Sequence, residues 1–253
     1  MIYSFLLIGQ SNAAGRGFIS EAEPLDNFGG KLKVLRNGRW QNMFRPVNPD
    51  RSFSGTSLAE SFAKAFYNDN PDHEVGIIPC ADGGTSLSQW MPGELLFDNA
   101  VNCVKLAMRT SNLLGVLWHQ GEADCAADKH PLYCENFKIM IERLRKEIGI
   151  PELPIVVGGL GDFLPNHAED NKHKNYMFVN EQLKNAVNDC SSMAYACAEG
   201  LESNPDNLHF SAKALVEFGL RYYEKFKEIE NKDLYLIEGD KLDDSKRSEM
   251  EAL

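Results

Sequence analysis

At 253 residues, 43% hydrophobic and 25% charged, the chain has the length and composition of a single globular domain able to build a large core. Its formal net charge of −11 argues against nucleic-acid and anionic-membrane partners, which need clustered Lys and Arg. No run of 18 apolar residues occurs, so no membrane-spanning helix is expected.

The first strand is read from the apolar run at residues 2–8, bounded by Gly9, which suits a buried strand of a parallel sheet. It runs into Gly9-Gln10-Ser11-Asn12 and then the small residues Ala13, Ala14 and Gly15. A serine at the carboxyl end of a buried strand, entering a helix, lies where open α/β sheets bind ligands. The N–H groups of the following turn can hold negative charge there. The alternative is that Ser11 only caps a short helix. No Lys or Arg precedes Arg16 and no small-residue cleavage site follows the apolar run, which makes a poor secretory signal. The six widely spaced cysteines read as reduced thiols. Together these predict a cytoplasmic protein, or a secreted one only if a signal has been removed.

Residues 18–54 read as a surface excursion containing a hairpin, 31–35 and 39–43 around Asn37-Gly38. A helix over 56–67 carries Leu58, Phe62 and Phe66 on one face. A second strand at 75–79 leads into Asp82-Gly83-Gly84-Thr85-Ser86, and a helix follows at 94–108. A third strand at 113–118 feeds His119-Gln120-Gly121-Glu122-Ala123-Asp124, and a helix with Tyr133, Phe137, Met140, Ile141 and Leu144 in line follows Pro131. A fourth strand at 154–157, a helix through Val179 and Leu183, and a fifth strand at 192–197 lead to Asp206 and His209. The last helix buries Leu215, Phe218, Tyr222 and Phe226, and residues 230–253 read as a charged, loosely attached tail after a 1–229 domain. Strands alternating with helices predict a three-layer α/β/α sandwich, flavodoxin-like, on a central five-stranded parallel sheet.

All five strand ends share one edge of such a sheet, so their polar loops converge. A serine hydroxyl needs a base to become a nucleophile. His119 and His209 lie at or beyond strand ends, whereas His130, His167 and His173 fall in polar loops and read as solvated. Asp206, three residues before His209, can fold back to the imidazole and fix its tautomer; Asp206 as a plain turn cap is the competing reading. Gly83 and Gly84 permit close approach of backbone N–H groups to a ligand, as an oxyanion hole requires. Gln120 can offer its side-chain amide to an oxyanion, and Glu122 and Asp124 can orient a histidine or line a pocket. A metal at His119, Glu122 and Asp124 fits no zinc spacing, and no metal or other cofactor is expected.

These blocks resemble the SGNH-hydrolase superfamily, and within it the sialate O-acetylesterase and carbohydrate esterase family 6 branch that includes acetylxylan esterases. The matching residues are Gly9-Gln10-Ser11-Asn12, Gly83-Gly84-Thr85-Ser86, the segment from Trp118 to Asp124, and Asp206-x-x-His209, in the family's order. The resemblance implies a serine esterase that removes acetyl groups from a small carbohydrate through an acyl-enzyme. Ser11 would be nucleophile and His209 base, with Asp206, or Glu122 from the neighbouring strand end, orienting the base. The Ser11 N–H, a Gly83 or Gly84 N–H and Gln120 would hold the oxyanion, Gln120 standing where the superfamily usually has Asn. Gln10, Asn12, Arg16 and Trp90 are candidate substrate contacts, with Trp40 a further candidate to stack on a sugar. The alternative is a non-catalytic carbohydrate- or phosphate-binding module on a flavodoxin-like fold.

Overall fold

The computed structural model describes residues 1–167 and 171–236, with backbone alone at 171–172. Strand β1 (Ile2–Gly9) is buried at every position and forms the centre of a seven-stranded sheet. Its neighbours, both parallel, are β4 (Glu74–Pro79) and β5 (Ser111–His119). Beyond β5 come β6 (Ile155–Gly158) and β7 (Met193–Ala196), also parallel. The five expected parallel strands are all present.

The strand count differs from the expected five. The hairpin does not stand off as an excursion: β2 (Leu32–Arg36) pairs parallel with β4, and β3 (Arg39–Asn42) closes that edge antiparallel to β2. The half-polar alternation of these strands suits a sheet edge with one wet face, which a hairpin pattern alone does not distinguish from a free ribbon. Trp40 explains the docking. Its ring lies across Gly76 of β4, where an added Cβ would stand 2.5 Å from the indole, and its Nε1–H donates to Thr110 Oγ1 at 3.1 Å. Trp40 is fully buried and offers nothing to a sugar.

Helices α2 (Leu58–Asp69) and α6 (Ala212–Ile229) pack on one face of the sheet. Phe5 of β1 meets Phe62, Phe66 and Phe226 there at centroid distances of 4.8–5.1 Å in edge-to-face geometry, worth ~0.5–1.5 kcal/mol a pair beyond burial. Helices α3 (Leu95–Ala107), α4 (Tyr133–Ile148) and α5 (Tyr176–Asn188) form the other layer. Ser57 starts α2 with a reciprocal capping box to Glu60, and Ser211 caps α6 by accepting from Ala214 N–H. None of these helices is long and apolar enough to cross a membrane. After α6 the chain does not leave the body at residue 230: Leu234 is buried, its carbonyl accepts from Asn112 Nδ2 at 3.2 Å, and Tyr235 packs on Tyr3. The rest of the expected tail, 237–253, lies outside the described residues.

Where β1 ends, Gly9 takes φ +126°, and a Cβ on it would sit 2.0 Å from the His119 carbonyl oxygen. Strain at such a φ and overpacking each cost of order 1–3 kcal/mol. Gly9→Ala is therefore expected to lose ~2 kcal/mol or more of stability, read as a lower urea midpoint. An unchanged midpoint would contradict the close β1–β5 approach.

Candidate active site

The four sequence blocks meet at the carboxyl edge of the sheet. Gln10 N–H donates to His119 O and Asp82 N–H to Gly9 O, both at 2.9 Å, so the turn after β1 is clamped between those after β4 and β5. Residues Ser11–Ala14 form a single helical turn, α1, whose first N–H groups have no intrahelical acceptor. Ser11 stands at its first position, 7% exposed.

His209 reaches Ser11 from the loop between β7 and α6, with Nε2 3.0 Å from Ser11 Oγ. Its Nδ1 lies 2.7 Å from Asp206 Oδ2, while Asp206 Oδ1 accepts from the N–H groups of Leu208 and His209 at 2.9 and 3.0 Å. With Nδ1–H given to the carboxylate, Nε2 is left to accept the serine proton. Burial pushes the Asp206 carboxyl up, but the two backbone N–H groups and the His209 ring outweigh it and hold it below its ordinary value.

Glu122, the other candidate carboxylate, is turned elsewhere. Its Oε1 accepts from Asn12 Nδ2 at 2.5 Å and lies 3.3 Å from His119 Nε2. His119 is buried between Phe210 and Phe218, beneath the site and apart from Ser11's partners. Burial raises the Glu122 carboxyl, yet the charge and hydrogen bond of His119, with the bond from Asn12, bring it below its usual value. Asp124 accepts from Leu87 N–H and Gln120 Nε2. Among the described residues no group of three or more such side chains is placed to hold a metal ion.

Three expected contacts are placed differently. Gln120 is wholly buried, and its amide nitrogen is shared among Gln10 Oε1 (3.1 Å), Thr85 O (3.0 Å) and Asp124 Oδ2 (2.5 Å). Two hydrogens facing three acceptors leave none for an oxyanion. Asn12 is buried with both ends of its amide engaged: Nδ2 to Glu122 and Leu208 O, Oδ1 accepting from Phe210 N–H. It staples the His209 loop to the sheet instead of facing substrate. Trp90 is 1% exposed, packs edge-on to Trp118 and donates to Thr85 Oγ1, because a buried indole N–H needs an internal acceptor.

Gln10 does border the cleft. Its Oε1 collects Gln120 Nε2 and the N–H groups of Gly121 and Ala123, which directs its NH₂ end away from that cluster. Gly83 N–H is bound to Asp50 Oδ2 at 2.8 Å; among the described residues no acceptor is paired with Gly84 N–H. A Cβ on Gly83 would meet Arg16 Nη2 at 2.5 Å and Ser11 Cβ at 3.4 Å, so only glycine allows the loop this close to the serine. Arg16 pairs through both nitrogens with buried Asp50, at 3.0 and 2.6 Å.

These groups enclose a cavity of about 400 Å³, within the range of small-molecule sites. A cavity of about 450 Å³ between residues 21–26 and helices α2 and α6 is somewhat larger, but no histidine lines it and its one serine, Ser61, donates its hydroxyl to backbone carbonyls. The cleft also takes in Arg51, Phe53, His167 and His173, which sequence reasoning left out or read as solvated. His167 Nδ1 sits 2.8 Å from Asp206 O, and His173 is buried. Nothing in their spacing marks them, since the cleft joins them to Ser11 only through the fold.

A profile of the family described as carbohydrate esterase, sialic acid-specific acetylesterase matches residues 2–228. The chain belongs to this family. It is thus a carboxylic ester hydrolase of the carbohydrate-esterase kind. A probable carbohydrate esterase from Arabidopsis thaliana is 28% identical over 243 residues, 85% of this chain and 86% of that protein. The X-ray structure of the Arabidopsis protein superposes with a TM-score of 0.80 at 25% identity, covering 89% of this chain and 97% of that one. NanS (TM-score 0.68, 18% identity, 88% of this chain and 95% of that one) shares the fold. So does a carbohydrate acetylesterase from Xanthomonas citri (0.66, 18%, 89% and 56%). The sandwich is therefore of the SGNH-hydrolase type.

In this esterase the Arg16–Asp50 pair carries the loop bearing Gly83. Burial raises the Asp50 carboxyl, but hydrogen bonds from Arg16 and Ser54, the Arg16 charge and Gly83 N–H leave it below its ordinary value. A lowered carboxylate contributes stability above its unfolded value, ~3.9, and loses it as pH falls through the folded value. Asp50→Asn leaves the Arg16 charge buried and unpaired, so a loss of ~3 kcal/mol is expected at pH 7. The gap to wild type should narrow below about pH 4, measured as Tm against pH. A constant gap would mean the pair contributes no pH-dependent stability.

Proposed function

We propose that the protein hydrolyses O-acetyl esters on a small carbohydrate through an acyl-enzyme, with Ser11 as nucleophile, His209 as base and Asp206 as its orienting carboxylate. The observation that carries this reading is the unbroken chain Asp206 Oδ2–His209–Ser11 Oγ, at 2.7 and 3.0 Å, at the edge of an accessible cleft. His209 Nε2 takes the Ser11 proton as Oγ attacks the acetyl carbonyl, and the charge that develops on the ring is balanced by Asp206. His209 then gives the proton to the departing sugar oxygen. Water, deprotonated by the same nitrogen, releases acetate and restores Ser11.

The oxyanion is assigned to Ser11 N–H and Gly84 N–H, with the NH₂ of Gln10 as side-chain donor. Gly83 N–H and Gln120 are already committed. A donor of this kind supplies roughly 2.7–4 kcal/mol at the transition state. Gln120 instead fixes Gln10, whose oxygen it occupies. The chemistry as drawn uses no cofactor, and the esterase domain is taken to extend past residue 229 to the packed residues Leu234 and Tyr235.

Acetate release from an acetylated sugar tests the reading. Ser11→Ala is expected to lower kcat by on the order of 10³-fold or more. Asp206→Asn should fall on a similar scale, with Glu122→Gln far milder, since Glu122 touches Asn12 and His119 and not His209. Wild type binding sugar without releasing acetate would favour the non-catalytic module, and equal losses for Asp206→Asn and Glu122→Gln would reopen the choice of carboxylate.

A further inference from the structure

The sugar-binding face of the cleft is not where the tryptophans suggested it, because Trp40 and Trp90 are both buried. The aromatic side chain that does border the cavity is Phe53, 69% exposed. A phenyl ring left in water gains nothing for folding, yet the turn that carries this one is held firmly. Its turn is closed by Ser54 N–H to Arg51 O and by Arg51 N–H to Ser54 Oγ, each at 3.1 Å. Ser54 Oγ then donates to Asp50 Oδ1 at 2.7 Å, tying the turn to the buried Arg16–Asp50 pair. The Arg16 guanidinium stands 5.3 Å from the centre of the Phe53 ring. One salt-bridged unit thus anchors the turn that carries the exposed ring and the Gly83 loop together.

Resting on the carbohydrate reading above, we propose that Phe53 is the platform on which the sugar ring stacks, making it a specificity determinant for acetylated pyranosides. The C–H-lined face of a pyranose is apolar and electropositive, and matches the negative face of a phenyl ring. Hydroxyls on the sugar's rim would find the polar groups of the same cavity, Arg51, Gln10 and His167. An acetyl ester without a sugar has nothing to lay on Phe53.

The test compares wild type, Phe53→Ala and Phe53→Trp in the full chain, with glucose pentaacetate and ethyl acetate as substrates and acetate release as readout. Phe53→Ala should lower the ratio of kcat/KM on the sugar ester to that on ethyl acetate by about 10-fold, chiefly through KM. Phe53→Trp, which keeps an aromatic face, should restore the ratio. An unchanged ratio in Phe53→Ala overturns the proposal, whether both activities persist or both fall together; a joint fall would mean that the ring only supports Arg16 and the catalytic loop. Wild type that cleaves ethyl acetate but no acetylated sugar would instead overturn the carbohydrate reading itself, and the platform with it.

Discussion

The structure depends on how closely the ends of β1 and β5 approach. At Gly9 the two strands touch through backbone alone, with no room for a methyl group between Gly9 and the His119 carbonyl. That contact allows Gln10 N–H to reach His119 O, which halts the strand and turns the chain into α1 with Ser11 at its first position. The serine is therefore carried by a strand buried at every position and not by a loop free to drift. Preorganisation of this sort gives backbone N–H donors their catalytic value, since they need no reorientation as charge develops.

Beneath Ser11 lies a buried polar layer that would be expensive if its members were unpaired. Gln10, Gln120, Asp124, Thr85 and Tyr133 form one connected set, with Tyr133 Oη 2.8 Å from both Gln120 O and Oε1. Asn12, Glu122 and His119 form a second. The first fixes which way the Gln10 amide faces, and the second joins the loops after β1, β5 and β7. Both convert desolvation cost into fixed orientation at the cleft.

The fold was largely legible because parallel strands buried on both faces leave continuous apolar runs, and those at Ile2–Gly9 and Ser111–His119 stand out. The hairpin's place in the sheet was not. Edge strands alternate, and Trp40's partner, Thr110, is 70 residues away. At the site, the contact among Ser11, Asp206 and His209 was legible, since each sits at a strand end or in a short i, i+3 relation that local spacing exposes. The competition between Asp206 and Glu122 could not be settled, because it turns on the Asn12 amide, 110 residues from Glu122. Gln120 was misplaced for the same reason: an amide donor is recognisable in sequence, but its acceptors are not. Phe53 carried no signal, lying in a turn without periodicity.

Asp206 and His209 arrive as one unit. Asp206 and His209 are three residues apart, locked by two backbone N–H bonds and the ring contact, so their mutual geometry is local. Their distance to Ser11 is not, being a relation across 198 residues. Two asparagines span that gap. Asn12 holds Leu208 O and Phe210 N–H, on either side of His209, and Asn204 Nδ2 holds Arg16 O at 2.9 Å. An asparagine amide can donate and accept at once, so it can grip a loop through both kinds of backbone group, which no apolar side chain can do. The distance from His209 to Ser11 is therefore set less by those two residues than by the uncharged side chains of Asn12 and Asn204. Changes to them should act on the alignment of His209 while leaving the Asp206–His209 contact whole.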